Sequence, residues 1–276
     1  MEEYRAELYG SSILHPRKSK QDYADMYGDS VNTYQHNSHG YRSGEFKAGT
    51  EILFAGCSFT YGIGVPEETI WGNLVADKLE VSRSSIAVPG ESIQSIVTQL
   101  FQYFATYGNP KTLLCLFPDL YRINYPIEGE IVGSKIRGPH FETLYTNVNE
   151  QDNKDIKIVK RPFDVAAVIS TDLAAYVSVS YIRILEQYCS ATGINLLWSS
   201  WADNDNLEEI NADTPFRNYL SLATEDITDP DCHSELREKY GSDNFHSGTD
   251  IKHGVEHAHP GIHSQVHFAE RFLTSL

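Results

Sequence analysis

The chain has 276 residues, with 22 Lys+Arg against 38 Asp+Glu, a formal net charge of −16, and 41% hydrophobic and 12% aromatic residues. That apolar share is enough for a packed core and excludes wholesale disorder; the acidity repels phosphate backbones, so no nucleic-acid partner is expected. No apolar run reaches the ~18–20 residues that span a bilayer, and the polar, acidic start MEEYRAELYGSS has no basic-then-apolar leader, so neither membrane nor export is expected and the setting is read as cytoplasmic.

In chain order, residues 1–49 are polar and tyrosine-rich with weak periodicity, and are read as an arm that wraps a domain spanning 50–276. EILFAG, ending at Gly56, has the continuous apolar character of a parallel strand covered on both faces. A loop to about Glu68 leads into TIWGNLVADKLE, where Trp71, Leu74, Val75 and Leu79 recur at helical spacing. SSIAV is the next strand, followed by a Pro-Gly break and a helix over Ser92–Tyr107. After Pro110, TLLCLFP is another buried strand. Residues 119–168 mix Gly, Pro, Asn and charge and are read as an irregular insertion. The longest helix is expected over 172–192, closed by Gly193, with INLLWSSW as the strand after it. A second insertion covers 201–245, with a short strand at Asn218–Ala223, and a helix closes the chain over 264–276. That second insertion holds 12 acids and 3 bases, so −9 of the net charge falls there. Strands alternating with helices predict parallel βαβ units in a three-layer α/β/α sandwich.

Two stretches carry chemistry. Gly56-Cys57-Ser58-Phe59-Thr60-Tyr61-Gly62 directly follows the first strand. A serine there sits where open α/β sheets bind ligands, and flanking glycines allow a sharp turn and close approach to the backbone. The alternative is a tight strand–helix turn in which Ser58 is only an N-cap. Thr60 stands where a GxSxG elbow requires Gly, so the α/β-hydrolase motif is absent. At the far end, Glu256-His257-Ala258-His259-Pro260-Gly261 offers a histidine base with a carboxylate three residues before it. Serine needs such a base because its hydroxyl is a poor nucleophile until its proton is taken. Five of the 11 His, residues 253, 257, 259, 263 and 267, cluster here. They could hold Zn²⁺, yet there is no HExxH and no paired Cys, so no metal is expected. Neither GxxxxGK[ST] nor GxGxxG occurs, which leaves no phosphate-binding motif and no cofactor expected. The four cysteines form no CxxC, and Cys57 is read as structural.

Taken together, the two ends resemble the SGNH/GDSL hydrolases, whose first block Gly-Asp-Ser-x-Thr-x-Gly parallels GCSFTYG and whose last block Asp-x-x-His-Pro parallels EHAHP, about 200 residues on. Gly90 in AVPGES matches the glycine that the family places after its second strand. The resemblance implies a mostly parallel flavodoxin-like sheet of roughly five strands. It also implies Ser58 as nucleophile, His259 as general base, Glu256 orienting the imidazole with Asp250 as a second candidate, and the Ser58 and Gly90 N–H groups as oxyanion donors. Three departures stand out. Cys57 replaces Asp, Glu256 replaces Asp, and Phe117-Pro118-Asp119-Leu120-Tyr121-Arg122 lacks the third-block Asn. Arg122 could act electrostatically or pair with Asp119, and Asn124 lies near. Asn37-x-x-Gly40-x-Arg42 in the arm looks like a segment of some bacterial and phage-encoded members, and is read as a turn followed by a docking arginine. The implied activity is cleavage of an ester, with O-acyl groups on a carbohydrate or another small molecule as the first substrate class. The competing reading is a catalytically degenerate module used for binding or structure.

Overall fold

The computed structural model describes residues 34–63, 65–127, 130–135, 144–145, 171–201, 216–220 and 261–276. The central strand β1 (Ile52–Gly56) is buried along its whole length. It pairs in parallel with β2 (Arg83–Ser85) on one side and with β3 (Thr112–Phe117) on the other. β3 in turn pairs in parallel with β7 (Asn195–Ser200), giving the order β2-β1-β3-β7. Beyond β7, Tyr219 makes a parallel bridge to Trp198; of the short strand expected over Asn218–Ala223, residues 221–223 lie outside the described residues. Glu186 fixes this segment: its buried carboxylate accepts from Trp198 Nε1 and from the Asn218 N–H, both at 3.1 Å. Those two bonds remove the desolvation cost that an unpaired buried carboxylate would carry.

The apolar runs split by alternation onto the two faces of the sheet. Leu53, Ala55, Leu113, Cys115, Phe117, Leu196 and Trp198 face a core shared with α3 (Ile93–Tyr107) and α4 (Thr171–Thr192). Ile52, Phe54, Leu114 and Leu116 face a second core with α2 (Trp71–Leu79) and α5 (Ile262–Leu273). These two cores are the three-layer α/β/α sandwich that the sequence predicts. Each such fully buried side chain is worth about 1.5–3 kcal/mol relative to exposure. Burial also pushes the Cys115 thiol well up, and that of Cys189 up to about 12 with Glu186 adding to it, so both remain thiols and serve as core. Leu79, expected on the apolar face of α2, is instead 40% exposed. The helix ends there, because Glu80 turns left-handed at φ 55°.

The stretch read as irregular after β3 carries a second sheet. β4 (Arg122–Ile127) pairs antiparallel with β5 (Glu130–Lys135), and β5 with β6 (Leu144–Tyr145). Ahead of β1, Tyr41 and Phe46 are buried against α3, with the Tyr41 hydroxyl donating to Gln99 Oε1 at 2.8 Å. No described helix is long and apolar enough to cross a membrane.

Candidate active site

The chain leaves β1 at Gly56, whose carbonyl accepts the Val88 N–H at 3.2 Å. An alanine Cβ at Gly56 would stand 2.6 Å from the Leu116 carbonyl oxygen and closer still to Thr60 Oγ1. One obstacle is sheet backbone and the other a buried side chain, so neither can swing away. Gly56→Ala is therefore expected to destabilise the protein by about 1–3 kcal/mol or more through overpacking. Thermal unfolding checks this, and a midpoint within a degree of wild type would contradict it.

Cys57 occupies the N-cap position and Ser58 is the first residue of a short helix, α1 (Ser58–Tyr61). The helix is closed by Gly62 in the left-handed region, φ 78°, with its N–H donating to the Ser58 carbonyl at 3.0 Å. An N-cap role for Ser58 is not what the structure shows: no side chain caps α1. Among the described residues, the contact of the Ser58 hydroxyl, 7% exposed, is a long 3.9 Å one to Cys57 Sγ. The sulfur is fully buried and accepts from Trp201 Nε1 at 3.2 Å, which makes Cys57 a packing and anchoring residue.

Four strand ends meet around this turn. After β2, the chain reverses at Gly90, whose φ of 81° suits glycine. After β3, Asp119 Oδ1 accepts the Tyr121 N–H at 2.7 Å and its carbonyl accepts the Arg122 N–H at 3.2 Å, closing a tight turn into β4. The expected Asp119–Arg122 ion pair does not form. The Arg122 guanidinium reaches instead to the Glu91 carbonyl, with Nη1 at 3.3 Å, and stands 5.9 Å from the centre of the Trp201 ring. After β7, Trp201 stacks on Phe59 with centroids 4.2 Å apart and donates its N–H to the Phe117 carbonyl at 3.2 Å. Asn124 lies within β4, opposite Gly133.

Two contacts that the sequence does not signal tie the last helix to this turn. Buried Gln265 of α5 donates from Nε2 to the Phe59 carbonyl at 3.1 Å and accepts the Trp71 N–H at 2.9 Å. The start of α5, at Ile262, is thereby held against the residue that follows Ser58. Trp201 was likewise read only as the end of a strand. His259, Glu256 and Asp250 lie outside the described residues. Among the described residues no cluster of three or more His, Cys, Asp or Glu is grouped for a metal ion.

No protein-family model and no curated protein sequence matches the chain. Solved structures do. A lipolytic protein of the G-D-S-L family from Desulfitobacterium hafniense is similar over 82% of this chain and 99% of its own, at 10% identity and a TM-score of 0.46. A carbohydrate esterase family 2 enzyme with a carbohydrate-binding domain from Corynascus thermopiles is similar over 84% of this chain and 66% of its own, at 14% identity and TM-score 0.40. An acetyl xylan esterase from the rumen bacterium Butyrivibrio proteoclasticus is similar over 84% and 64%, at 12% identity and TM-score 0.41.

Proposed function

We propose that the protein is a serine hydrolase of SGNH/GDSL type that cleaves an ester through an acyl-enzyme on Ser58. The observation that carries this reading is the state of Ser58. It sits at the carboxyl end of the central parallel strand, where open α/β sheets bind ligands, and among the described residues its hydroxyl is taken by no cap or strong hydrogen bond. In the reaction, Ser58 Oγ attacks the carbonyl carbon while His259 takes its proton. The tetrahedral oxyanion collapses, His259 returns the proton to the leaving alcohol, and water repeats the sequence on the acyl-enzyme. Glu256 orients the imidazole, and the Ser58 and Gly90 N–H groups face the oxyanion. The hydrogen bond from Gln265 to Phe59 supports the pairing of Ser58 with His259, because His259 lies only three residues before Ile262. An O-acyl carbohydrate is the substrate class proposed, in keeping with the esterases named above.

A fluorophosphonate reporter tests the reading directly, since it captures serines only when a base activates them. Wild-type protein is expected to label and Ser58→Ala not to. Folded wild type that stays unlabelled would leave the domain as a binding module.

A further inference from the structure

We infer that Arg122 supplies positive charge to the oxyanion formed on Ser58, an assignment that rests on the esterase reading. In β2-β1-β3-β7, the Glu91 carbonyl belongs to the turn after β2, and Trp201 follows β7. The Arg122 guanidinium contacts both, with Nη1 at 3.3 Å from the Glu91 oxygen and Cζ at 5.9 Å from the Trp201 ring centre. The guanidinium therefore lies between the turn after β2 that carries Gly90 and the ring that follows β7, at the end of the sheet where β1 delivers Ser58.

The surroundings of this cation sharpen the assignment. Among the described residues no carboxylate pairs with Arg122; its neighbour Asp119 spends one oxygen on the Tyr121 N–H. In a chain with a net charge of −16, a guanidinium left without a described ion-pair partner at this end of the sheet is a charge placed for something that arrives or develops there. Attack by Ser58 moves the carbonyl π pair onto oxygen, and that oxygen gains a full negative charge at this end of the sheet. A fixed cation there stabilises the transition state more than the neutral ground-state carbonyl, which is what raises kcat. The contacts that fix it are also those of the site: Trp201 is itself held by Cys57 Sγ and by Phe59, on either side of Ser58.

The test is steady-state hydrolysis of p-nitrophenyl acetate, a small neutral ester, by wild type, Ser58→Ala, Arg122→Gln and Arg122→Lys, with thermal unfolding recorded for each. Arg122→Gln is expected to lower kcat about a hundredfold while KM stays within about twofold and the unfolding midpoint holds. Arg122→Lys keeps the charge without the fork, and is expected to recover part of the loss. Ser58-dependent hydrolysis in which Arg122→Gln matches wild type, or in which only KM changes, overturns the assignment and leaves the esterase reading standing. Wild type without Ser58-dependent hydrolysis overturns both. Should Arg122→Gln fail to fold, Arg122→Lys decides: kcat at or below one-hundredth of wild type with an unchanged midpoint would show that charge at this position does not help.

Discussion

Ser58→Ala and His259→Ala are each expected to lower kcat for ester hydrolysis by roughly 10⁴–10⁶, and the double variant is expected to fall no further. Nucleophile and base act as one unit: without the base, the hydroxyl keeps its proton, and without the hydroxyl, the base has nothing to activate. A 10⁴ loss corresponds to about 5.5 kcal/mol of transition-state stabilisation. Binding and the oxyanion donors leave a residue of roughly 10³–10⁴ over water, which sets the floor at which all three variants converge. Losses that multiply in the double variant would show two independent contributions, and the proposed mechanism would fail. Stability should hardly move in Ser58→Ala, since the hydroxyl's contact among the described residues is 3.9 Å long. Of the two candidate orienters, Glu256→Gln should then cost more than Asp250→Asn.

How far the sequence leads depends on whether local physics or tertiary packing decides each feature. β1, β3 and β7 are legible because strands covered by helices on both faces carry continuous apolar runs, ILFAG, LLCLF and LLW. β4 and β5 are not. RINYPI and EIVGSK contain Pro126 and Gly133, lack clean alternation, and are separated by Glu-Gly, not by one of the strong hairpin dipeptides. The pairing between them, not the composition of either, makes the sheet.

The site divides the same way. Ser58 and Gly90 announce themselves because a sharp turn at a strand end needs glycine and small residues nearby. Trp201 does not, since an aromatic closing an apolar run reads as core. Its importance comes from where β7 ends relative to β1. Asp119 and Arg122 look in sequence like an ion pair across a turn. The backbone N–H of Tyr121 claims the carboxylate instead, and the guanidinium is freed to reach across the sheet edge. The short motif Asn37-x-x-Gly40-x-Arg42 reads correctly as a turn and a docking arginine: Asn37 Oδ1 accepts the N–H groups of His39 and Tyr41, each at 3.0 Å. What the motif does not reveal is where the arginine docks.

It docks on the turn that follows the nucleophile, so Arg42→Ala is expected to be among the most damaging substitutions outside the chemistry. The Arg42 guanidinium, 5% exposed, donates to the carbonyls of Tyr61, Gly62 and Val65 at 3.2, 2.6 and 3.0 Å, and lies 4.3 Å from the Tyr34 ring centre. These carbonyls end α1 and begin the loop beyond it, where no intrahelical partner exists for them. Burial alone disfavours the charged side chain and draws its pKa down, against the opposing pull of Tyr34 and Tyr61. The charge is therefore retained because three carbonyls depend on it. Truncation to Ala would strand the Tyr61 and Val65 carbonyls, each at about 1–3 kcal/mol, leave Gly62 with only the long 3.4 Å bond from the Val65 N–H, and open a cavity besides. Allowing for partial relaxation, a loss of about 3–5 kcal/mol is expected, a large share of the ~5–15 kcal/mol that holds a typical domain. Arg42→Lys keeps the charge but cannot span three acceptors with a fixed fork, and should fall between the two. Denaturant unfolding measures the stability, and fluorophosphonate labelling of the folded fraction measures the site. Because α1 is only four residues long and Gly62 closes it, loosening these carbonyls should slow labelling of Ser58 even where Arg42→Lys remains folded. Arg42→Ala within about 1 kcal/mol of wild type, labelling at the wild-type rate, would show that the turn around Ser58 holds its own shape without the arm.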